Sequence, residues 1–537
     1  MKTHRACGYL KNFILALFSS VLLVLCFPKF DLGILAWVAL LPLFIAIHGK
    51  GLRDSFLLSL ICGIFFFIGI FCWIFGVPRH MLLHHTFLVI YLASYFGFFG
   101  LAFGFISSRS GSATAFLAAP LIWVSFEFIR SNLSFLALPW GLLAHSQYQH
   151  PLIIQIASLT GAYGISFLIV IVNSTLACLF LERLRSPLPN KIPPKFPLSK
   201  GWGRIKKPLV FVTALSVIST FLYGYWVMSQ PINGKGIRIS LVQGNIEQAK
   251  KWDPRYAREI MQTYSELTHE ASKSQPALVI WPETATPGSI GLDPNLFAEV
   301  KEAARKAEAL ILLGSTQHQK FSEKEAMEIR YFNSAYLIKP DPHITESPRY
   351  DKIRLFPFGE YLPHRDIIPW SVINVYDSGN YKPGKEFTIF QIPPLQFGVT
   401  ICWENVFPDL VREFVGRGAQ FMVNITNEAR FGKTAAPYQL ASMSVFRAVE
   451  NRVFVVRCAN TGISCIIDPY GRMIDRIKDE KGRDIFVQGV LTGRIIALDS
   501  KTIYSRYGDW FVWMDIVGGV LFLLTACFAR KRQANRI

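Results

Sequence analysis

Phe397–Glu404 reads F-G-V-T-I-C-W-E, an apolar, partly β-branched run that ends on a thiol, a tryptophan and a carboxylate. Its length and composition are those of a buried strand, and its far end lies where an α/β sheet presents reactive groups. The surroundings share this character. Residues 229–509 predict strands at Ile237–Gln243, Ala277–Trp281, Leu310–Gly314, Ser334–Ile338, Phe397–Cys402, Phe421–Ile425, Val453–Arg457 and Ser464–Asp468. Between them, Pro254–Lys273, Pro294–Glu308, Pro408–Arg417 and Ala435–Asn451 read as helices, the first two with Pro just inside the start. This alternation predicts an α/β layered domain, and about 280 residues suffice for one core.

The rest of the chain is of another kind. Of the 537 residues, 51% are hydrophobic and 17% charged, with a mean hydropathy of +0.31. A soluble chain is nearer one quarter charged. Stretches long enough to cross a bilayer occur at Asn12–Phe27, Leu32–Ile47, Phe56–Gly76, Thr86–Ile106, Ala113–Ile129, Leu152–Leu181, Leu209–Met228 and Trp510–Ala529. The first follows Lys2, Arg5 and Lys11 and is expected to be a retained helix rather than a cleaved signal, because further spans follow it directly. The expected domains are a seven-span region at 1–228, a catalytic region at 229–509, and a final span with a basic tail at 510–537.

Orientation follows the basic residues of short loops. With the N-terminus inside, segments 1–11, 48–54, 107–113, 182–207 and 530–537 hold 18 Lys and Arg against Asp54 and Glu182. The opposite loops hold Lys29, Arg79 and Arg130. Residues 229–509 are then expected outside the cytoplasmic membrane. The net charge of +19 is accounted for by this asymmetry, so no nucleic-acid partner is expected from it.

The nine cysteines form no framework. Cys402, Cys458 and Cys465 fall in the outer region. The last two flank a turn at Asn460–Gly462 and are read as a possible pair or, preferably, as two separately buried thiols. No GxGxxG, P-loop, GxSxG or zinc-ligand spacing occurs there. His269, His318, His343 and His364 stand alone, and no cofactor or metal is expected. Glu127 beside Arg130 is an exception to otherwise nonpolar spans, which disfavours a solute pathway.

Three strand ends carry chemistry. Ala277–Glu283 (A-L-V-I-W-P-E) puts a carboxylate past a proline-broken strand. Tyr350–Glu360 (Y-D-K-I-R-L-F-P-F-G-E) sets Lys352 and Glu360 around an aromatic loop, and the third end is Cys402. Singly each is bland: a buried thiol, a helix-capping acid, a solvated lysine. Together, in this order, they resemble the nitrilase superfamily. V-Q-G-N-I-E-Q with Lys251–Trp252, W-P-E-T-A at Trp281–Ala285, F-P-F-G-E-Y-L-P at Phe356–Pro363, I-C-W-E at Ile401–Glu404 and L-P-W-G at Leu138–Gly141 narrow the resemblance to the bacterial apolipoprotein N-acyltransferases. Two departures are Trp403, where Tyr is frequent, and N-E-A-R-F-G at Asn427–Gly432, where N-D-A-W-F-G is common; both bear on the pocket.

The resemblance implies a multi-pass helical membrane domain of about eight spans joined to a nitrilase-like αββα sandwich. It implies Cys402 as nucleophile, Glu283 as general base and Lys352 as oxyanion stabiliser. Glu360 and Glu404 are expected to orient Lys352 and the incoming amine, or else to form structural salt bridges. Trp403, Trp252 and Tyr361 are expected at the substrate pocket. The implied reaction moves an acyl chain from a phospholipid, through a thioester, to the α-amine of a diacylglyceryl-cysteine on an apolipoprotein in the bacterial inner membrane. The apolar stretch Ile367–Val375 reads as a lid or as core. A monomer is expected. The rivals are a membrane-tethered amidase that hydrolyses a small amide, and a transporter or lipid-binding scaffold.

Overall fold

The structure is a computed structural model that describes residues 2–77, 81–185, 202–323, 326–341, 343, 347–365, 367–373, 380–498 and 501–534. Arg79, the end of the apolar stretch at Val375, and residues 186–201 of the basic loop lie outside the described residues. The chain divides into two compact units, one of residues up to 229 together with those from 509 onward, the other mainly Gln230–Gly508.

In hydrocarbon every backbone polar group must be satisfied within the segment, so long apolar runs become helices. Among the described residues seven helices are long and apolar enough to cross a membrane: Gly8–Leu25, Leu52–Ile70, Leu82–Ser110, Ser112–Asn132, Tyr163–Leu184, Lys207–Met228 and Trp510–Ala529. The expected span Leu32–Ile47 needs correction. It is a 3-10 turn at Gly33–Leu35 followed by short helices at Ala36–Ala39 and Leu41–Ile47. The ladder breaks because Pro42 brings no N–H and because Asn173 captures the N–H groups of Leu40 and Leu41 at 2.9 and 3.1 Å. Asn173 Nδ2 donates in turn to the Ala36 carbonyl at 2.8 Å.

This broken segment still makes a passage. Gly69, at the end of the Leu52–Ile70 helix, lies against Val24, whereas Ser55, at its start, lies against Gly100 and Gly104. Val24 and Leu52 therefore stand at opposite ends of one helix, and the residues between them carry the chain from one face of the bundle to the other. The stretch predicted at Leu152–Leu181 is also divided. Short helices Pro151–Ile154 and Ala157–Thr160 stop at Gly161, whose φ of +68° ends the second before Tyr163–Arg185 begins.

Glu127 and Arg130 are both buried and work on the backbone of the L-P-W-G stretch. Glu127 Oε1 accepts from Leu143 N at 2.9 Å, and Arg130 Nη1 donates to the carbonyls of Leu138 and Trp140 at 3.0 and 2.7 Å.

In the second unit, twelve strands among the described residues form two sheets. They are β1 Gly236–Gln243, β2 Leu278–Ile280, β3 Leu310–Glu323, β4 Ala326–Ile338, β5 Arg349–Asp351, β6 Phe390–Ile392, β7 Leu395–Ile401, β8 Phe421–Thr426, β9 Phe454–Ala459, β10 Cys465–Ile467, β11 Met473–Arg476 and β12 Gly489–Ile496. The orders are β12-β1-β2-β3-β4-β5 and β11-β10-β9-β8-β7-β6. The inner neighbours β1/β2, β2/β3, β7/β8 and β8/β9 pair parallel, the outer ones antiparallel.

Helices Ala257–Ser272 and Pro294–Ala307 lay Ile260, Tyr264 and Val300 onto the first sheet against Val279, Trp281 and Ile311. Asp293 caps the second of these through Asn295 N and Leu296 N. Pro408–Gly416 and Ala436–Asn451 pack on the second sheet, completing an αββα sandwich. The sheets also bond to each other. Cys458 Sγ reaches the carbonyls of Val242 and Ile280 at 3.4 and 3.2 Å, so Cys458 and Cys465 are separate buried thiols.

Replacing Asn173 with Leu leaves two buried N–H groups unpaired. Thermal unfolding in detergent is expected to show a loss of about 2–6 kcal/mol, at roughly 1–3 kcal/mol per orphaned group.

Candidate active site

Glu283, Lys352 and Cys402 come from three loops and two sheets. Strand β2 ends at Ile280, Trp281 continues its pairing through N–H to Leu312 O at 2.8 Å, and Pro282 then breaks the ladder. The turn runs against Gly314, where a Cβ would collide with Glu283 Cα and Pro282 O. Only glycine admits this approach, and Gly314 closes it with bonds to Pro282 O and from Ala285 N. Thr284 takes a φ of +45° to complete the turn.

The carboxylate this turn presents is buried. Its Oε1 accepts from Asn333 Nδ2 at 2.8 Å and its Oε2 from Asn427 N at 3.0 Å.

Lys352 follows β5 and is buried. Its backbone N–H bonds Asn333 O at 2.9 Å, and its ammonium donates to Glu360 Oε1 at 2.9 Å, with Glu283 Oε1 4.0 Å away. Burial pulls the lysine pKa down, but Glu360, the Cys402 sulfur, Glu283 and Glu404 outweigh it and hold the group charged. Glu360 is itself fixed by Asn333 Nδ2 at 3.1 Å and Phe356 N at 2.7 Å. The acceptor of the Lys352 ammonium is thus itself held by two donors.

Cys402 is half-buried at the end of β7 with a φ of +58°, a left-handed conformation that a non-glycine residue adopts at a cost. The surroundings impose it. Asn424 Nδ2 holds the Cys402 carbonyl at 3.1 Å, and Glu404 Oε2 takes Ile401 N at 2.8 Å. Burial pushes the thiol up to about 12; Glu283 and Glu360 push the same way, while Lys352 and Thr426 oppose them.

Glu404 is fully buried and does not reach Lys352. It accepts from Tyr350 Oη and from the N–H groups of Ile353 and Arg354 at 2.8–3.0 Å, tying the lysine loop to the nucleophile turn. Burial lifts its pKa to about 7 against those bonds. Trp403 is packed, with Nε1 on Arg354 O at 2.7 Å and edge contacts to Phe356 and Phe407. Trp252 is 48% exposed, and Tyr361 is half-buried, pairing through its carbonyl with Phe358 N.

The comparisons with known proteins agree along the whole length. Residues 19–175 match the apolipoprotein N-acyltransferase N-terminal domain and residues 238–497 the carbon-nitrogen hydrolase domain. The chain is 33% identical over 528 residues to the apolipoprotein N-acyltransferase of Geobacter metallireducens, covering 97% of this chain and 96% of that one. It belongs to the apolipoprotein N-acyltransferase family. The family member of Chlorobaculum tepidum is 28% identical over 550 residues, with 97% of each chain covered. Among solved structures, Saccharomyces cerevisiae Nit3 of the nitrilase superfamily is 19% identical, with 50% of this chain and 92% of that chain covered and a TM-score of 0.36. The protein is a multi-pass membrane acyltransferase with a carbon-nitrogen hydrolase domain.

Several site residues escaped the sequence. Asn333 and Asn424 act only through folding partners, and no local pattern marks them. Lys251 stood in the quoted K-W pair but drew no role; it is buried, and its Nζ bonds Glu283 O at 2.9 Å. The N-E-A-R-F-G departure keeps its anion. Glu428 pairs with buried Arg457, whose Nη1 holds Asn424 Oδ1 at 2.6 Å and so orients the amide on Cys402 O. Arg430 of the same stretch is exposed.

Removing the charge of Glu283 relieves the thiolate. In Glu283→Gln the midpoint for iodoacetamide alkylation of Cys402, read by mass spectrometry across pH, is expected to fall. At pH 8 alkylation then accelerates by up to about tenfold, since one pKa unit is a factor of ten. Lys352→Met is expected to move the midpoint the other way.

Proposed function

We propose that the protein transfers a fatty acyl chain from a membrane phospholipid, through a thioester on Cys402, to the α-amine of a diacylglyceryl-cysteine at an apolipoprotein N-terminus. The observation that carries this reading is a half-buried thiol sharing one charge cluster with a buried carboxylate and a buried ammonium. A protonated thiol is a poor nucleophile, and a base that takes its proton as it attacks removes the difficulty.

Glu283 accepts that proton while Cys402 Sγ bonds to the ester carbonyl carbon. The oxyanion so formed meets the Lys352 ammonium. Collapse breaks the carbon–oxygen ester bond, and Glu283 returns the proton to the leaving alkoxide, releasing lysophospholipid. The amine then attacks the thioester, Glu283 takes its proton, and the proton ends on the departing sulfur. An α-amine, with a pKa of about 7.7–8.0, has far more free base near neutral pH than lysine at about 10.4. Each half-reaction leaves the centre ready for the other, which is a ping-pong cycle.

The donor follows from location. The basic-loop asymmetry, with seven passages before residue 229 once the Gly33–Ile47 segment counts as one, supports a catalytic unit on the periplasmic face of the inner membrane. Soluble thioesters and ATP are not supplied there, whereas phospholipid esters are at hand.

Apolar side chains suit a unit that draws lipid from a bilayer. Ile367 and Val372 are 80% and 78% exposed, and Trp370 packs edge-on to Phe358 at 5.0 Å with its Nε1 on Pro363 O. We assign this stretch to a lid that meets lipid. Ile367→Asp with Val372→Asp is expected to cut phospholipid turnover about tenfold while leaving the unfolding temperature unchanged.

The deciding experiment is intact-protein mass spectrometry after incubation with phospholipid alone. Wild type is expected to gain one fatty acyl group, Cys402→Ala none, and a diacylated lipopeptide to discharge the adduct. Release of free fatty acid or ammonia without an adduct or lipopeptide product would move the reading to a hydrolase.

A further inference from the structure

Lys251 stands apart from the residues given roles above. It is 3% exposed, and its Nζ donates to one acceptor, the carbonyl oxygen of Glu283, at 2.9 Å. No carboxylate among the described residues pairs with it. Buried lysines are rare unless paired. Lys352, equally buried, has Glu360 at 2.9 Å, so the missing counter-ion at Lys251 is a local choice and not a property of the domain.

The segment that carries it is firmly held. Lys251 N bonds Glu247 O at 3.2 Å, Gln248 Oε1 takes Asn427 Nδ2 at 2.9 Å, and Ile246 is clamped on both sides by Asn460. Asn427 is also the residue whose N–H holds Glu283 Oε2. One rigid patch thus grips both ends of Glu283, its carboxylate through Asn427 and its peptide through Lys251.

We propose that Lys251 is a positioning residue of the acyl-transfer centre. Its hydrogen bond fixes the turn that aims Glu283, and its ammonium can place a second positive charge beside that carboxylate. The proposal rests on the thioester reading of Glu283, Lys352 and Cys402.

A hydrogen bond alone needs no lysine, because a glutamine amide supplies one. What lysine adds is a charge that responds to pH. The groups acting on its ammonium are Glu283, Cys402 and Arg430; those acting around Glu283 are Lys352, Glu360 and Tyr381. Burial, with Arg430 in support, brings Lys251 down to about 7 against the pull of Glu283 and Cys402. Above that pH the amine is neutral and the site holds one cation, Lys352, beside the nucleophile. Below it a second positive charge develops next to Glu283. An incoming α-ammonium also meets less repulsion when Lys251 is neutral, so the arrangement favours transfer at neutral to mildly alkaline pH.

Two substitutions in the full-length enzyme separate bond from charge. Lys251→Met removes both; Lys251→Gln keeps a donor and removes the charge. The rate of acyl-adduct formation on Cys402 from phospholipid is measured by mass spectrometry from pH 5 to 9, with the unfolding temperature of each variant alongside. The expected result at pH 8 is a loss of about ten- to a hundredfold in Met and a Gln rate within about threefold of wild type. In both variants the acidic limb moves to higher pH by about half a unit or more.

Wild-type rate and limb in Lys251→Met would overturn the proposal. So would equal slowing of both variants with lowered unfolding temperature and an unmoved limb, which is the behaviour of packing alone. Absence of a Cys402-dependent adduct in wild type fails earlier and rejects the thioester reading itself.

Discussion

A buried ammonium that must stay charged governs the catalytic unit. Moving a lysine out of water costs several kcal/mol unless carboxylates and hydrogen bonds replace the solvent. At Lys352 the replacement comes from Glu360 and, at longer range, Glu283. Each of those carboxylates needs its own donors, which explains the second tier. Asn333 serves both acids, Phe356 N serves Glu360, and Asn427 N serves Glu283. The loop bearing Lys352 is then tied to the nucleophile by Glu404, which binds the loop's N–H groups and Ile401 N at once. Once the ammonium is fixed, little freedom remains for anything around it.

Much of this was legible in the chain because the informative features are local. Strand-length apolar runs ending on Glu283 and Cys402 announce themselves, and all eight predicted strands exist, six with small shifts of boundary and two, β3 and β4, extended well past their apolar runs by the hairpin they form. The missed strands are short or lack an apolar run. β5 and β6 have three residues each, β11 faces outward at its centre, and β12 mixes buried and half-exposed positions along an edge. Glu360 was readable through its motif. Asn333 and Asn424 were not, because an asparagine inside a strand carries no mark of the distant carboxylate or carbonyl it serves. The contacts of Glu404 were hidden for the same reason, since they include backbone groups some fifty residues earlier in the chain.

The membrane unit departs from its expected spans at two places, and the departure at Leu32–Ile47 has a related physical cause. Hydropathy counts apolar residues but not which side chains satisfy the backbone. Asn173 supplies to Leu40 and Leu41 what an unbroken helix would have supplied internally, so an apolar stretch becomes two short helices. Glu127 and Arg130 serve carbonyl and N–H groups of a non-helical loop in the same way. In both places a polar residue in an apolar sequence marks irregular backbone nearby and not a solute path.

The split of the centre across two sheets bears on biosynthesis. The turn bearing Glu283 and the loop bearing Lys352 belong to the first sheet, while Cys402 ends β7 inside the second, whose strands β8 and β9 are translated later still. A nascent chain that has made β1 to β5 carries Glu283 and Lys352 without the Cys402 thiol. One that has added β7 lacks the strands that hold Asn424 and Arg457 beneath it. The three side chains therefore come together only at the close of folding, and an incomplete or truncated product holds them apart.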